Sequence, residues 1–154
     1  RPKTGGTTLD VMDREHTLEF LGNHVKTEML MKHLLCVEAS MRGYARKFGE
    51  DQDRWGIAGL LHDFDWEICP TPTDHPTYGA QILKDHGYPE DIIRAVLTHG
   101  DHTEVKRESR MEHTLFAVDE LSGFVRAVAL REVVHLRAHG RRRADGRERQ
   151  AGRR

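Results

Sequence analysis

The stretch Gly59-Leu60-Leu61-His62-Asp63-Phe64-Asp65-Trp66 sets an imidazole beside a carboxylate at the end of an apolar helical run. Neighbouring residues on a helix point about 100° apart, so His62 and Asp63 cannot serve one flat surface, but both can reach an ion lying beside the helix end. That chemistry is a metal site, and its other ligands must come from other segments. His33 upstream and His75, His99 and Asp119 downstream each fall beside an apolar stripe or at a helix end, where a side chain can turn toward a shared interior. Helix bundles build metal sites in this way, from His and carboxylate side chains on facing helices.

Each of these residues also has a plainer explanation. A histidine on an apolar face is commonly a hydrogen-bonded packing residue. Asp63 could simply close a helix, although the helix dipole disfavours a carboxylate at a C-terminus. Asp119, between Val118 and Leu121, could share a solvated face with Glu120. If instead it points inward, it costs several kcal/mol unless a cation or hydrogen bonds compensate, by roughly the usual penalty for a buried charge. Among the other histidines, His16, His24, His86, His113, His135 and His139 lie in polar surroundings and read as surface residues. His102, three residues after His99, could face the same cleft. Lys32, Lys106, Arg107 and Arg110 could bind an anion or simply be solvated.

The elements that must position these groups are helices. Asp13 is placed to cap a short helix holding Leu18, Phe20 and Leu21, which Gly22-Asn23 would end. From Lys26 to Phe48, Leu30, Leu34, Val37, Met41, Ala45 and Phe48 recur every three or four positions, the stripe of one long helix stopped by Gly49. His33 lies beside that stripe. Asp51 to Arg54 starts a helix, Trp55 to His62, that is apolar on nearly every side and therefore central, with Gly56 and Gly59 suited to close approach. Prolines in Cys69-Pro-Thr-Pro-Thr-Asp74 impose a loop, and Asp74 is placed to cap a helix opening at His75-Pro76 and ending at Gly87. Pro89-Glu90-Asp91 opens the next, which closes near His99-Gly100. After a polar connector, 101–110, comes a segment with Leu115, Val118, Leu121, Phe124, Val125 and Val128, in which Ser122-Gly123 would kink or divide the helix. No alternating strand, repeat or Gly-rich phosphate loop is present. The expected fold class is all-α, five or six helices around a metal site.

The chain has 154 residues, and its formal charge of -1 hides an asymmetry. Residues 137–154 carry eight arginines against Asp145 and Glu148, so this tail stands near +6 and the remainder near -7. The expected organisation is a disordered leader over 1–12, a helical domain over 13–136 and a disordered Arg-rich tail over 137–154. Any nucleic-acid binding would be weak and run through that tail. Cys36 and Cys69 suggest neither a disulfide framework nor a thiolate zinc site, and a reducing cytoplasm is the default. No stretch approaches the roughly 18 apolar residues of a membrane span.

The order His33, then His62-Asp63, then Asp119 resembles the signature of the HD superfamily, metal-dependent phosphohydrolases with an all-α core, across roughly Met29 to Val128. The resemblance implies that these four residues hold a first metal. The dinuclear subset adds one histidine opening the next helix and one ending the helix after it, and His75 and His99 match those places; Asp63 would then bridge two ions. Many dinuclear relatives continue with a small residue and a lysine that contacts phosphate. Here the sequence runs Phe64-Asp65-Trp66-Glu67, so that contact does not carry over. The implied activity is hydrolysis of a small phosphoester such as a nucleotide, with one or two divalent ions from Mn, Fe, Co, Ni and Zn. Asp65, Glu67 and His102 are candidates for a general acid or base. Two rival readings are an oxygenase with a di-iron site on the same fold and a non-catalytic signalling or ligand-binding module.

Overall fold

The computed structural model describes residues 13–125 together with Val128 and Arg131, and every regular element among them is helical. The expected leader and Arg-rich tail lie outside the described residues. Helix α1 is Arg14–His24, α2 Glu28–Phe48, α3 Gln52–Leu61, α4 Thr77–Asp85 and α5 Glu90–Thr98; a single 3-10 turn covers Asp101–Thr103. Residues 110–125 form a further helix, α6.

Local chemistry sets most of these limits. Asp13 accepts from the His16 amide at 2.7 Å, and Asp51 from the amides of Asp53 and Arg54, so both act as N-caps. Gly49 ends α2 in the left-handed region at φ 73°. Three boundaries differ from expectation. Gly22-Asn23 does not stop α1, which continues to His24 because the buried Phe20 and Leu21 hold its last turn on the core. Asp74 does not cap α4; its side chain closes the preceding loop by accepting from the amide and hydroxyl of Thr71. Ser122 and Gly123 are themselves helical.

Helix α3 occupies the centre, as its composition requires: every residue from Trp55 to Leu61 is buried. One side joins Ile57, Leu60 and Leu61 to Leu34 of α2, Leu83 of α4 and Ile92 of α5; the other joins Trp55 and Ala58 to Val37 and Met41 of α2 and Leu115 of α6. Fully burying each large side chain stabilises by about 1.5–3 kcal/mol. Helices α2 and α3 touch at backbone distance, since a Cβ on Gly59 would lie 3.0 Å from Cα and N of Glu38. Glu38 itself is buried and accepts from Arg14 of α1 at 2.6 Å and from Arg42 at 2.8 Å. Burial pushes its carboxyl up, but the two guanidinium groups outweigh this and hold it below its ordinary range.

The chain divides into two compact units between Asp119 and Glu120. The first contains α1 to α5 and the part of α6 that ends at Asp119. In the second, Leu121, Phe124, Val125 and Val128 are exposed. No helix among the described residues is long and apolar enough to cross a membrane.

Candidate metal centre

The site forms where several helix ends converge on the last turn of α3. His33 comes from the second turn of α2, His62 and Asp63 from the end of α3, His75 from the loop before α4, His99 from the end of α5, and Asp119 from α6. Nε2 of His33 lies 3.1 Å from Nε2 of His62, 3.1 Å from Asp119 Oδ1 and 3.5 Å from Asp63 Oδ2. His62 Nε2 is 3.4 Å from both of those oxygens. A second group forms on the other oxygen of the same aspartate. His75 Nε2 and His99 Nε2 are 3.1 Å apart, and they stand 3.1 and 3.2 Å from Asp63 Oδ1.

These donors fit transition-metal cations. With metal–nitrogen bonds of about 2.0–2.1 Å, two ligand atoms stand about 3.0 Å apart at a right angle and about 3.4 Å apart at the tetrahedral angle. The observed separations run from 3.1 to 3.5 Å, close to that interval, and each group's donor atoms all lie within 4.8 Å of one another. Imidazole and carboxylate without thiolate suit Mn, Fe, Co, Ni or Zn.

Ring orientation fits as well, because an imidazole that binds through Nε2 needs its Nδ1–H satisfied elsewhere. His62 Nδ1 donates to the Gly59 carbonyl at 2.8 Å and His99 Nδ1 to the Val96 carbonyl at 2.6 Å. His75 Nδ1 donates to Asp65 Oδ1 at 2.7 Å.

The metal-free charges are strongly coupled. Burial lowers the proton affinity of His62, but the charge of Asp63 and a hydrogen bond to Asp119 outweigh it and raise its pKa to about 10. Burial likewise opposes the rise at His75, which hydrogen bonds to Asp63 and Asp65 carry to about 9. His33 is raised by hydrogen bonds to Asp119 and Asp63. Burial pushes Asp63 and Asp119 up, yet the surrounding imidazoles hold both well below the usual carboxylate range. Without a cation, the carboxylates thus favour the protonated imidazoles of His62 and His75.

The sequence matches the HD domain family over residues 30–145. The chain belongs to the HD domain family. Members of this family are typically metal-dependent phosphohydrolases, so the family suggested by His33, His62-Asp63 and Asp119 is the one to which the chain belongs. Among curated proteins, the chain is 31% identical over 98 residues to Ribonuclease Y of Oleidesulfovibrio alaskensis, an alignment covering 63% of this chain and 18% of that protein. The chain therefore spans less than a fifth of that relative. No solved structure matches it.

All six residues expected as ligands in this HD domain meet in these two groups. The three expected acid–base candidates are not members of either group, though two of them touch His75. Asp65 is fully buried, and both its oxygens are engaged, one by His75 and the other by the Gly79 amide at 2.8 Å. Glu67 accepts from the amides of Lys26 and Thr27 and from the Thr27 hydroxyl, which fastens the start of α2. His102 is hydrogen-bonded through Nε2 to the backbone carbonyl of His75. Asp65 and His102 are thus engaged with His75, and Glu67 with Lys26 and Thr27. The sequence did carry a signal for them: carboxylates at every second position, 63, 65 and 67, have no reason to lie on one solvated helical face.

Proposed function

We propose that this protein is a metal-dependent phosphohydrolase with a dinuclear centre, His33, His62, Asp63 and Asp119 holding one ion and Asp63, His75 and His99 the other. The observation that carries this reading is the placement of Asp63, whose Oδ2 faces the first group and whose Oδ1 faces the second. Such a pair of ions, when bound, brings the pKa of water toward neutrality and offsets charge on the attacking and leaving oxygens of a phosphoryl transfer. The protein's part is positioning. Asp63 sets the spacing of the pair, and the carbonyls of Gly59 and Val96 aim His62 and His99. Among the described residues the second group supplies three donors, fewer than the four or more such an ion takes, so a phosphate oxygen and a water would complete it.

The substrate we propose is a small phosphoester, specifically a nucleotide. Trp66 supports this: it is 54% exposed and stands edge-on to His75, ring centroids 5.0 Å apart at 86°. An exposed indole beside a phosphate-binding centre offers a face for a nucleobase, worth about 1–3 kcal/mol in stacking. The name of the related ribonuclease adds short RNA to the substrates worth testing.

The test is anaerobic turnover of p-nitrophenyl phosphate, nucleotides and short RNA by protein loaded in turn with Mn²⁺, Co²⁺ and Ni²⁺. Phosphate release is expected, with Trp66→Ala raising KM for nucleotides and leaving p-nitrophenyl phosphate unaffected. Metal-loaded protein that hydrolyses none of them would sink the phosphohydrolase reading. O₂ consumption by iron-loaded protein would then favour an oxygenase, and its absence a binding module.

A further inference from the structure

Resting on the dinuclear reading above, we propose that Asp65 is a positioning residue that fixes His75 as a ligand of the second ion, with Gly79 shaped to receive its other oxygen. The argument begins with where the three buried histidines sit. His62 and His99 each follow the last residue of a helix, and each aims its ring by donating Nδ1–H to the carbonyl three residues back on its own chain, Gly59 and Val96. His75 precedes α4 and lies in the loop, so no helical turn stands behind it to offer such a carbonyl. A side chain from another segment must supply the acceptor. Asp65 does so at 2.7 Å while fully buried.

The acceptor is held as firmly as the ring it holds. Its Oδ2 accepts from the Gly79 amide at 2.8 Å, and a Cβ on Gly79 would stand 2.7 Å from Asp65 Cγ. Only glycine leaves this carboxylate its place against the first turn of α4. Two consequences follow for His75. When the ring gives up one proton to a cation, Nδ1 keeps the other, so the lone pair is left on Nε2, which faces Asp63 Oδ1 and His99. A charged acceptor also makes that nitrogen a stronger donor than a backbone carbonyl would. Glu67, two residues on, provides the contrast: its bonds run to Lys26 and Thr27, and no histidine is among them.

Metal-free protein titrated with Co²⁺ tests this, with ions counted by elemental analysis and visible absorption, and the His75 tautomer is read from imidazole ¹⁵N shifts in protein loaded with diamagnetic Zn²⁺. The parent should bind two ions. Asp65→Asn keeps the size but sets an amide against the Gly79 N–H or against the ring; it should hold the first ion as the parent does and bind the second about 10–100-fold more weakly, with less Nδ1-protonated His75. Glu67→Gln should lower thermal stability and keep both ions. An Asp65→Asn protein that binds both ions with parental affinity would overturn the proposal alone. A parent that saturates at one ion would overturn the dinuclear reading and this proposal with it. Should Asp65→Asn fail to fold, Gly79→Ala decides by the same readout: a weakened second ion supports the proposal, and parental affinity for both overturns it.

Discussion

At the scale of single residues, Asp63 is unusual in that its charge and its two-sidedness are both needed. Asparagine keeps its size but cannot present two anionic oxygens, so two cations about 3.5–4 Å apart would repel each other with less compensation. Asp63→Asn is expected to lose the second ion and nearly all hydrolysis while keeping its helical circular dichroism, since the apolar stripes are untouched. Retained metal with unchanged or raised stability would mean that Asp63 merely closes α3. The histidines lead to a second prediction. His62 and His75 have pKa values raised to about 10 and about 9 in the metal-free protein, so at neutral pH they carry protons where a cation needs lone pairs. Loading must expel those protons, and apparent affinity should climb as the pH rises from about 6 to 9. Calorimetry in buffers of different ionisation enthalpy measures the release. The sign for folding is the reverse: with no metal, a raised imidazole pKa contributes stability that is complete below about 6.5 and is lost as the pH passes through about 9 to 10.

At the scale of elements, α2 and α3 form one rigid pair that carries His33 on one member and His62-Asp63 on the other. Their contact at Gly59 is against the backbone of Glu38, and backbone cannot swing away as a side-chain tip can. Gly59→Ala should therefore destabilise by about 1–2 kcal/mol even after the helical gain of alanine, and it should weaken the first ion because the two ligand-bearing helices are forced apart. Gly43, also in α2, has open space where its Cβ would go. Gly43→Ala should raise stability by about 0.5–1 kcal/mol and leave metal content alone. Thermal melts and elemental analysis on the two variants separate a packing effect from a propensity effect.

At the scale of the whole molecule, the sequence was most legible where the physics is local. The stripe of α2, the apolar surround of α3, the Asp13 and Asp51 caps and the left-handed Gly49 all follow from spacing within a few residues. The expected ligands were legible for a different reason: His33, His62, His75, His99 and Asp119 stand at helix ends or beside stripes, where burial is otherwise costly for a polar group. What could not be read was the use of Asp65, Glu67, His102 and Asp74. Each finds partners set by the packed structure or the loop, Gly79 and His75 for Asp65, Lys26 and Thr27 for Glu67, the His75 carbonyl for His102 and Thr71 for Asp74. Composition marks such groups as polar, but which partner each one takes is decided by segments that only the packed fold brings together.

Asp119 meets His33 and His62 across most of the first unit, and Cys36 and Cys69 are both free. Coordination would therefore be the cross-link that this unit lacks in covalent form, one that acts by binding the folded chain and so opens and closes with the free-ion concentration. Each tenfold rise in free metal above the dissociation constant should add about 1.4 kcal/mol per bound ion to the unfolding free energy, so the melting temperature should rise with the logarithm of metal concentration. Chelation should raise hydrogen exchange around Asp119 before it reaches the buried turns of α3, because Asp119 is the ligand that α6 contributes. An Asp119 that exchanges at the same rate with and without metal would place it outside the clasp. With the clasp in place, the firmness of this fold becomes a readout of the metal level around it.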